Sequence, residues 1–261
     1  MKRHTAVSLA ATFTLLCCSI LPVGAYDMGS PEEPLRLSAG LSHTVYVDET
    51  GTLWAWGSNQ AGQLGTETQE TSTDLEGNPI PYASQPLAVM EDVVSASAGA
   101  DFTVALKADG TLWTWGGNDE GQLGTGTTEG SATPVQVLDQ VTAVVAGDYH
   151  VAALRTDGTL WMWGSNIDGQ LGTGQATEVL QTQPVQVPLR GAVLAVAAGT
   201  GHTVAILEDG TLWVWGRNDQ GQLGLDPDTA ALVPQPTQVT EATGAVDVAA
   251  GTYQTACLLS D

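Results

Sequence analysis

One phrase recurs along this chain and constrains its fold more than any other feature. The phrase runs Thr-Leu-Trp-x-Trp-Gly, continues through an asparagine and closes on Gly-Gln-Leu-Gly. Its four copies contain all eight tryptophans, which are Trp54 and Trp56, Trp113 and Trp115, Trp161 and Trp163, and Trp213 and Trp215. Self-similarity at a period of about 50 residues is the signature of stacked repeat units. The chain is therefore predicted to be an array of one structural unit.

A second phrase precedes each tryptophan pair and adds a fifth, partial repeat. It combines Ala-Gly with a following His-Thr, as in Gly40 with His43 and Gly199 with His202. The fifth copy, around Gly251, has no tryptophan pair after it. The predicted repeats span residues 35–89, 90–137, 138–187 and 188–239, with a partial copy at 240–261.

Each repeat is predicted to contain four short strands. Asp109-Gly110 and its equivalents separate the second strand from the third, and Asp-Gly is a strong hairpin signal. In the third strand Leu112 and Thr114 point to one face and Trp113 and Trp115 to the other. Units of this length, with four strands and two buried faces, indicate the blades of an all-β propeller. The tryptophans are expected to fill the wedge between neighbouring blades.

The two phrases together resemble the repeats of the regulator-of-chromosome-condensation family. The resemblance covers residues 35–261 and implies a seven-bladed β-propeller, of which this sequence would supply about four and a half blades. It also implies three kinds of function: nucleotide exchange on a small GTPase with chromatin binding, light sensing through tryptophans, and binding by secreted proteins such as a β-lactamase inhibitor. The light-sensing tryptophan motif is not found in these repeats.

The sequence closes on Asp261 where the repeat predicts Gly-Thr-Leu-Trp next. We expect either a fragment of a longer protein or an arc that another chain completes. Unpaired blade edges favour assembly, so self-assembly through such edges is a possible mode of association.

The first residues have the pattern of a secretory signal peptide. Lys2 and Arg3 precede an apolar run, and small residues at Val23 and Ala25 provide a cleavage site. We expect a signal peptide at residues 1–25, a linker at 26–34 and a secreted or cell-surface protein without membrane insertion after cleavage. Loss of the signal would leave five basic residues against 29 acidic ones. So acidic a surface disfavours nucleic acid as a partner and favours proteins with basic groups.

The polar residues of the repeats are not arranged for catalysis. His43, His150 and His202 recur at one repeat position, which favours local hydrogen bonding over a converging metal or catalytic site. Cys257 falls at a small packed position of the second strand, and the acidic segment from Asp74 to Asn78 is expected to be a solvated loop. The sequence therefore predicts a non-enzyme with no catalytic residue, cofactor or metal.

Binding is expected at variable loop positions, because packing occupies the framework positions. Aromatic residues beside carboxylates suit a protein partner with basic groups. The candidate partner-binding residues are Asp101, Phe102, Asp119, Glu120, Asp148, Tyr149, Asp168, Asp219 and Tyr253. We expect an exported non-catalytic scaffold for protein–protein binding, with inhibition of a secreted enzyme as its more specific form. The alternative is a guanine-nucleotide exchange factor-like regulator of a small GTPase.

Overall fold

The computed structural model describes residues 36–260, which form five antiparallel sheets in chain order. The first blade contains β1 (Arg36–Ala39), β2 (His43–Val47), β3 (Leu53–Ser58), β4 (Glu70–Thr73) and β5 (Pro79–Met90). The second contains β6 (Val93–Ala98), β7 (Phe102–Lys107), β8 (Leu112–Gly116) and β9 (Ser131–Leu138).

The remaining blades repeat the order of the second. The third contains β10 (Val141–Ala146), β11 (His150–Arg155), β12 (Leu160–Asn166) and β13 (Thr177–Gln186). The fourth contains β14 (Val193–Ala198), β15 (His202–Leu207), β16 (Thr211–Arg217) and β17 (Leu232–Thr243), and the fifth sheet contains β18 (Ala245–Ala250) and β19 (Thr255–Leu259). The predicted all-β propeller is confirmed. None of the residues in 36–260 belongs to a helix long and apolar enough to cross a membrane.

Neighbouring blades pack mainly through their first and second strands, so the Val- and Ala-rich first strands lie innermost. Val144, Val196 and Val248 are buried at equivalent positions of three of these strands. Small side chains in the first strands allow adjacent sheets to approach closely, and each interface is filled by one apolar cluster. Each first strand after the first blade has one register shift near its start, as between Val93 and Ser95 and between Val141 and Ala143.

The second tryptophan of the pair fills the wedge between blades in three of the four repeats, whereas Trp56 of the first blade is half-buried. Trp115, Trp163 and Trp215 are fully buried, and each indole N–H donates to a glutamine carbonyl of the preceding blade. The first tryptophan of each pair is only half-buried, as at Trp161, where the indole donates to the Thr159 hydroxyl of its own hairpin turn at 2.9 Å. The expectation that both tryptophans fill the wedge therefore holds for the second tryptophan of the last three pairs. The first lies at the margin of the wedge, as Trp113 and Trp213 do, half-buried against the same cluster between blades.

The Asp74 segment lies in a hairpin that the sequence did not predict. β4 pairs with β5 and widens the first sheet to five strands. The Asp74 carboxylate accepts hydrogen bonds from the amides of Glu76 and Asn78, at 2.9 and 2.8 Å. Local bonding of this kind builds a turn. The segment is exposed, as expected, but it is an ordered turn between two strands.

The remaining motif residues brace the loop after the third strand. Asn118 accepts a hydrogen bond from the Leu123 amide at 2.8 Å, and Gln122 accepts one from the Glu120 amide at 2.8 Å. Gly124 has a φ of 72°, and a Cβ built there would lie 2.7 Å from Nε1 of Trp163. Only glycine combines this conformation with so close an approach. The residues of the motif thus stabilise the loop and the packing between blades.

Candidate protein-binding surface

Strand direction places the candidate residues on one face of the propeller. The turns between first and second strands and the loops between third and fourth strands lie at the same end of each antiparallel sheet. We call this end the long-loop face. It comprises the turns at residues 40–42, 99–101, 147–149, 199–201 and 251–254 and the loops at 59–69, 117–130, 167–176 and 218–231. All the candidates except Phe102 belong to these segments.

Phe102 is wrong as a partner-binding residue. It is fully buried as the first residue of β7 and is paired in register with Gly116. Its repeat position is that of His43 and His150, whereas the residue equivalent to Tyr149 is Asp101. Phe102 therefore packs in the core between the second and third blades. An aromatic residue beside a turn was mistaken for a residue within it.

His43, His150 and His202 make polar contacts between neighbouring blades, and we call them the seam histidines. Each Nε2 lies within 2.9–3.0 Å of a threonine hydroxyl in the next blade: Thr103, Thr203 and Thr255 respectively. The Thr103 and Thr203 hydroxyls in turn donate to glutamine carbonyls at 2.8 and 2.9 Å, so the histidine Nε2–H must donate to the hydroxyl. The hydrogen bonding expected of these histidines is present, but it joins neighbouring blades and is not local to one turn.

Burial holds the seam histidines neutral. It lowers the pKa of His43 and of His202 to about 4 and that of His150 to about 3. The main cause is removal of the imidazolium from water, and the charge of His202 lowers the pKa of His150 further. They are consequently unsuited to proton transfer near neutral pH.

Asp148 and Tyr149 share the turn that enters β11. The Asp148 carboxylate accepts a hydrogen bond of 2.6 Å from the Thr200 hydroxyl of the next blade. Tyr149 is 38% exposed, and Tyr253, at the same repeat position, is 50% exposed. Asp148 is thus held by its neighbour, while the two tyrosines present ring surface to solvent.

Arg217 was not among the predicted site residues, yet it organises part of the long-loop face. Its guanidinium binds the Asp219 carboxylate through Nε at 2.9 Å and Nη2 at 2.6 Å. It also lies 5.6 Å from the ring centroid of Tyr253. Asp168 lies close enough for Arg217 to oppose the rise in its pKa that partial burial causes. The sequence offered one signal for this role. Arg217 is the one basic residue at a repeat position that is otherwise occupied by Ser58, Gly117 and Ser165.

The second blade carries carboxylates without such a cation. Asp101 is half-buried, and burial raises the pKa of its carboxyl, with a further contribution from the negative charge of Asp119. Its hydrogen bond from Gln122 Nε2 is long, at 3.4 Å. Asp119 is exposed and Glu120 half-buried. This part of the surface is electrostatically suited to a positively charged group.

Over residues 36–260 no three His, Cys, Asp or Glu side chains come together in a way that could hold a metal ion. Cys257 is half-buried on β19, opposite Val248, and burial raises the pKa of its thiol. That position agrees with packing in the second strand.

The family profile described as the RCC1-like domain matches residues 20–261. The chain belongs to the RCC1-like domain family. It is 36% identical over 239 residues to the mouse protein named Regulator of chromosome condensation, covering 88% of this chain and 42% of that protein. It is 34% identical over 206 residues to the dog X-linked retinitis pigmentosa GTPase regulator, covering 77% of this chain and 15% of the relative.

This RCC1-like chain spans less than half the length of either relative. Among solved structures, human WBSCR16 matches with a TM-score of 0.73 and 24% identity, over 90% of this chain and 60% of that one. Yeast RCC1, solved in complex with Kap60, matches with a TM-score of 0.65 and 23% identity, over 85% and 67% of the two chains. At these identities the structural matches support the fold alone, while the sequence relatives and the family profile establish the repeat scaffold.

Proposed function

We propose that this RCC1-like chain is a non-catalytic scaffold that binds a protein partner with basic groups through its long-loop face. The observation that carries the proposal is the contrast between framework and variable positions. Buried tryptophans, seam histidines and motif asparagines are occupied by packing, whereas Tyr149 and Tyr253 stand exposed among carboxylates. Exposed aromatic side chains beside charges are typical anchors of protein interfaces.

The electrostatics of the same face support a basic partner. Asp101 and Asp168 are half-buried carboxyls whose pKa values are raised mainly by burial. A raised carboxyl pKa means that the charged form is incompletely compensated in the free protein. A cationic group from a partner would compensate it, and the association should weaken as salt is added.

The test is binding of candidate partners to matched variants. Tyr149→Ala and Tyr253→Ala should each weaken binding by about tenfold or more, as expected for interface anchors. Glu49→Gln and Glu208→Gln serve as controls, since both residues are exposed at the opposite end of the sheets. If the tyrosine variants bind as the wild type does and the control variants do not, the partner surface is at the opposite face.

A regulator of a small GTPase is the more specific function that the relatives favour. One relative is named as a GTPase regulator. The resemblance of the repeats also implies nucleotide exchange on a small GTPase. The comparisons favour this alternative over inhibition of a secreted enzyme. The experiment is release of fluorescent GDP from a panel of small GTPases with substoichiometric chain. Accelerated release that is lost in Asp219→Asn would support exchange, whereas unchanged release rates across the panel would contradict it.

Export and enzyme inhibition remain proposals based on the sequence. The signal-peptide pattern at residues 1–25 lies outside the described residues. The intact mass of the protein from its native source tests export, because cleavage after Ala25 would place Tyr26 at the N-terminus. Assays of a β-lactamase panel with the purified chain test inhibition, and unchanged hydrolysis rates for every enzyme would contradict that role.

A further inference from the structure

We propose that Asp101, Asp119 and Tyr149 form a niche that binds an arginine side chain of the protein partner. The proposal rests on the proposed function, since it names the group that the long-loop face would recognise. It is carried by a comparison between two blades of the same chain. One blade fills such a niche with its own arginine, and the other does not.

The filled niche lies between the fourth blade and the fifth sheet. Arg217 donates two hydrogen bonds to Asp219, at 2.9 and 2.6 Å, and its guanidinium carbon lies 5.6 Å from the centroid of the Tyr253 ring. The fork of a guanidinium matches a carboxylate, and its flat face stacks on an aromatic ring. A carboxylate from one blade and a tyrosine from the next thus form a receptor for guanidinium on this scaffold.

The second and third blades place the same two receptor groups at equivalent positions. The Gly117 amide donates to the Asp101 carbonyl at 2.9 Å, as the Arg217 amide donates to the Gly201 carbonyl at 2.8 Å. Gly117 is therefore equivalent to Arg217. Two residues further on, Asp119 is equivalent to Asp219, and Tyr149 in the next blade is equivalent to Tyr253.

The arginine position is the one that differs. Gly117 has no side chain, and a Cβ built on it would overlap the Asp101 carboxylate. In the fourth blade Gly201 leaves its Cβ space to the Asp168 carboxylate of the third blade, and Arg217 supplies the side chain. Both niches thus contain a second carboxylate, from Asp101 or from Asp168, and only the fourth blade also supplies a cation.

No basic side chain compensates these carboxylates in the described part of the chain. The ion pairs found there join Lys107 to Asp92, Arg155 to Asp139 and Arg217 to Asp219. Asp101 instead is near the like charge of Asp119, and its carboxylate accepts a long hydrogen bond from Gln122 Nε2 at 3.4 Å. A guanidinium would bind both carboxylates and stack on Tyr149, which a compact lysine ammonium would do less well.

The experiment titrates the protein with N-acetyl-arginine amide and follows backbone amide signals by NMR. We expect saturable shifts of the Gly117, Asp119 and Tyr149 amides. The isosteric, uncharged N-acetyl-citrulline amide should bind at least about tenfold more weakly, because its interaction with the carboxylates lacks charge assistance. Asp119→Asn removes the carboxylate charge and should weaken binding, whereas Tyr149→Phe retains the ring and should leave binding largely unchanged.

Two reciprocal variants provide controls that the fold already accommodates. Asp101→Gly combined with Gly117→Arg copies the fourth blade and should abolish the shifts by filling the niche internally. Arg217→Gly should open the second niche and add shifts at Asp219 and Tyr253. Equal binding of the arginine and citrulline compounds, or full binding by Asp119→Asn, would overturn the proposal. If Tyr253→Ala still weakened binding of a protein partner in that case, the proposed scaffold function would remain supported.

Discussion

The seam between the second and third blades differs from its neighbours, and substitution can test why. At the adjoining seams His43 meets Thr103 at 2.9 Å and His150 meets Thr203 at 3.0 Å. Phe102 occupies the histidine position and Val151 the threonine position of the intervening seam, and both are fully buried. We predict that Phe102→His destabilises the protein, because the introduced imidazole would face an aliphatic side chain.

The magnitude follows from the environment of that seam. A buried polar group without a partner costs about 1–3 kcal/mol. The loss of apolar ring surface adds about 1 kcal/mol, which gives a total of about 2–4 kcal/mol. Adding Val151→Thr should recover about 1–2 kcal/mol by coupling of neighbouring residues. The new hydroxyl could donate to the Gln122 carbonyl, as Thr103 donates to the Gln63 carbonyl at 2.8 Å.

The assay is urea unfolding followed by tryptophan fluorescence for the wild type, both single variants and the double variant. Amide exchange should accompany it, because repeat arrays can lose two-state behaviour. A double variant more stable than Phe102→His alone supports the pairing rule. Strictly additive losses, with no coupling between the two positions, would refute the reasoning.

Three further predictions concern stability. Burial lowers the pKa values of the seam histidines to about 3 to 4, below the ordinary value of 6.5. As the pH falls, the unfolded state therefore binds protons before the folded state does, and the urea midpoint should fall from pH 6.5 towards pH 4. A midpoint that does not change with pH would contradict this. Trp215→Ala should cost about 3–5 kcal/mol in urea unfolding and the half-buried Trp213→Ala less, and the reverse order would contradict the packing described. Gly124→Ala should lower the melting temperature more than Gly224→Ala. Both glycines have positive φ, but a Cβ at Gly124 would meet Trp163, whereas none of the described atoms lies within 4 Å of a Cβ at Gly224. Equal losses would show that backbone strain alone matters.

Several features of the site could be anticipated from the sequence, and others could not. The equivalence of the repeats placed Asp101, Asp119 and Tyr149 in turns and loops, which is where the structure has them. Phe102 was misplaced because one residue separates an exposed turn from a buried strand start. The role of Arg217 depends on Tyr253 of another blade, and no local pattern specifies a contact between blades.

The sequence by itself determined the repeat unit, the order of its strands and the class of fold. Those properties depend on local alternation, on Asp-Gly turns and on periodic tryptophans, all of which can be read along the chain. The tertiary structure decided how deeply each tryptophan is buried, which seam is apolar and which carboxylate has a cation beside it. These outcomes depend on what the neighbouring blade places within hydrogen-bonding or van der Waals distance, and such distances arise only when the blades pack together.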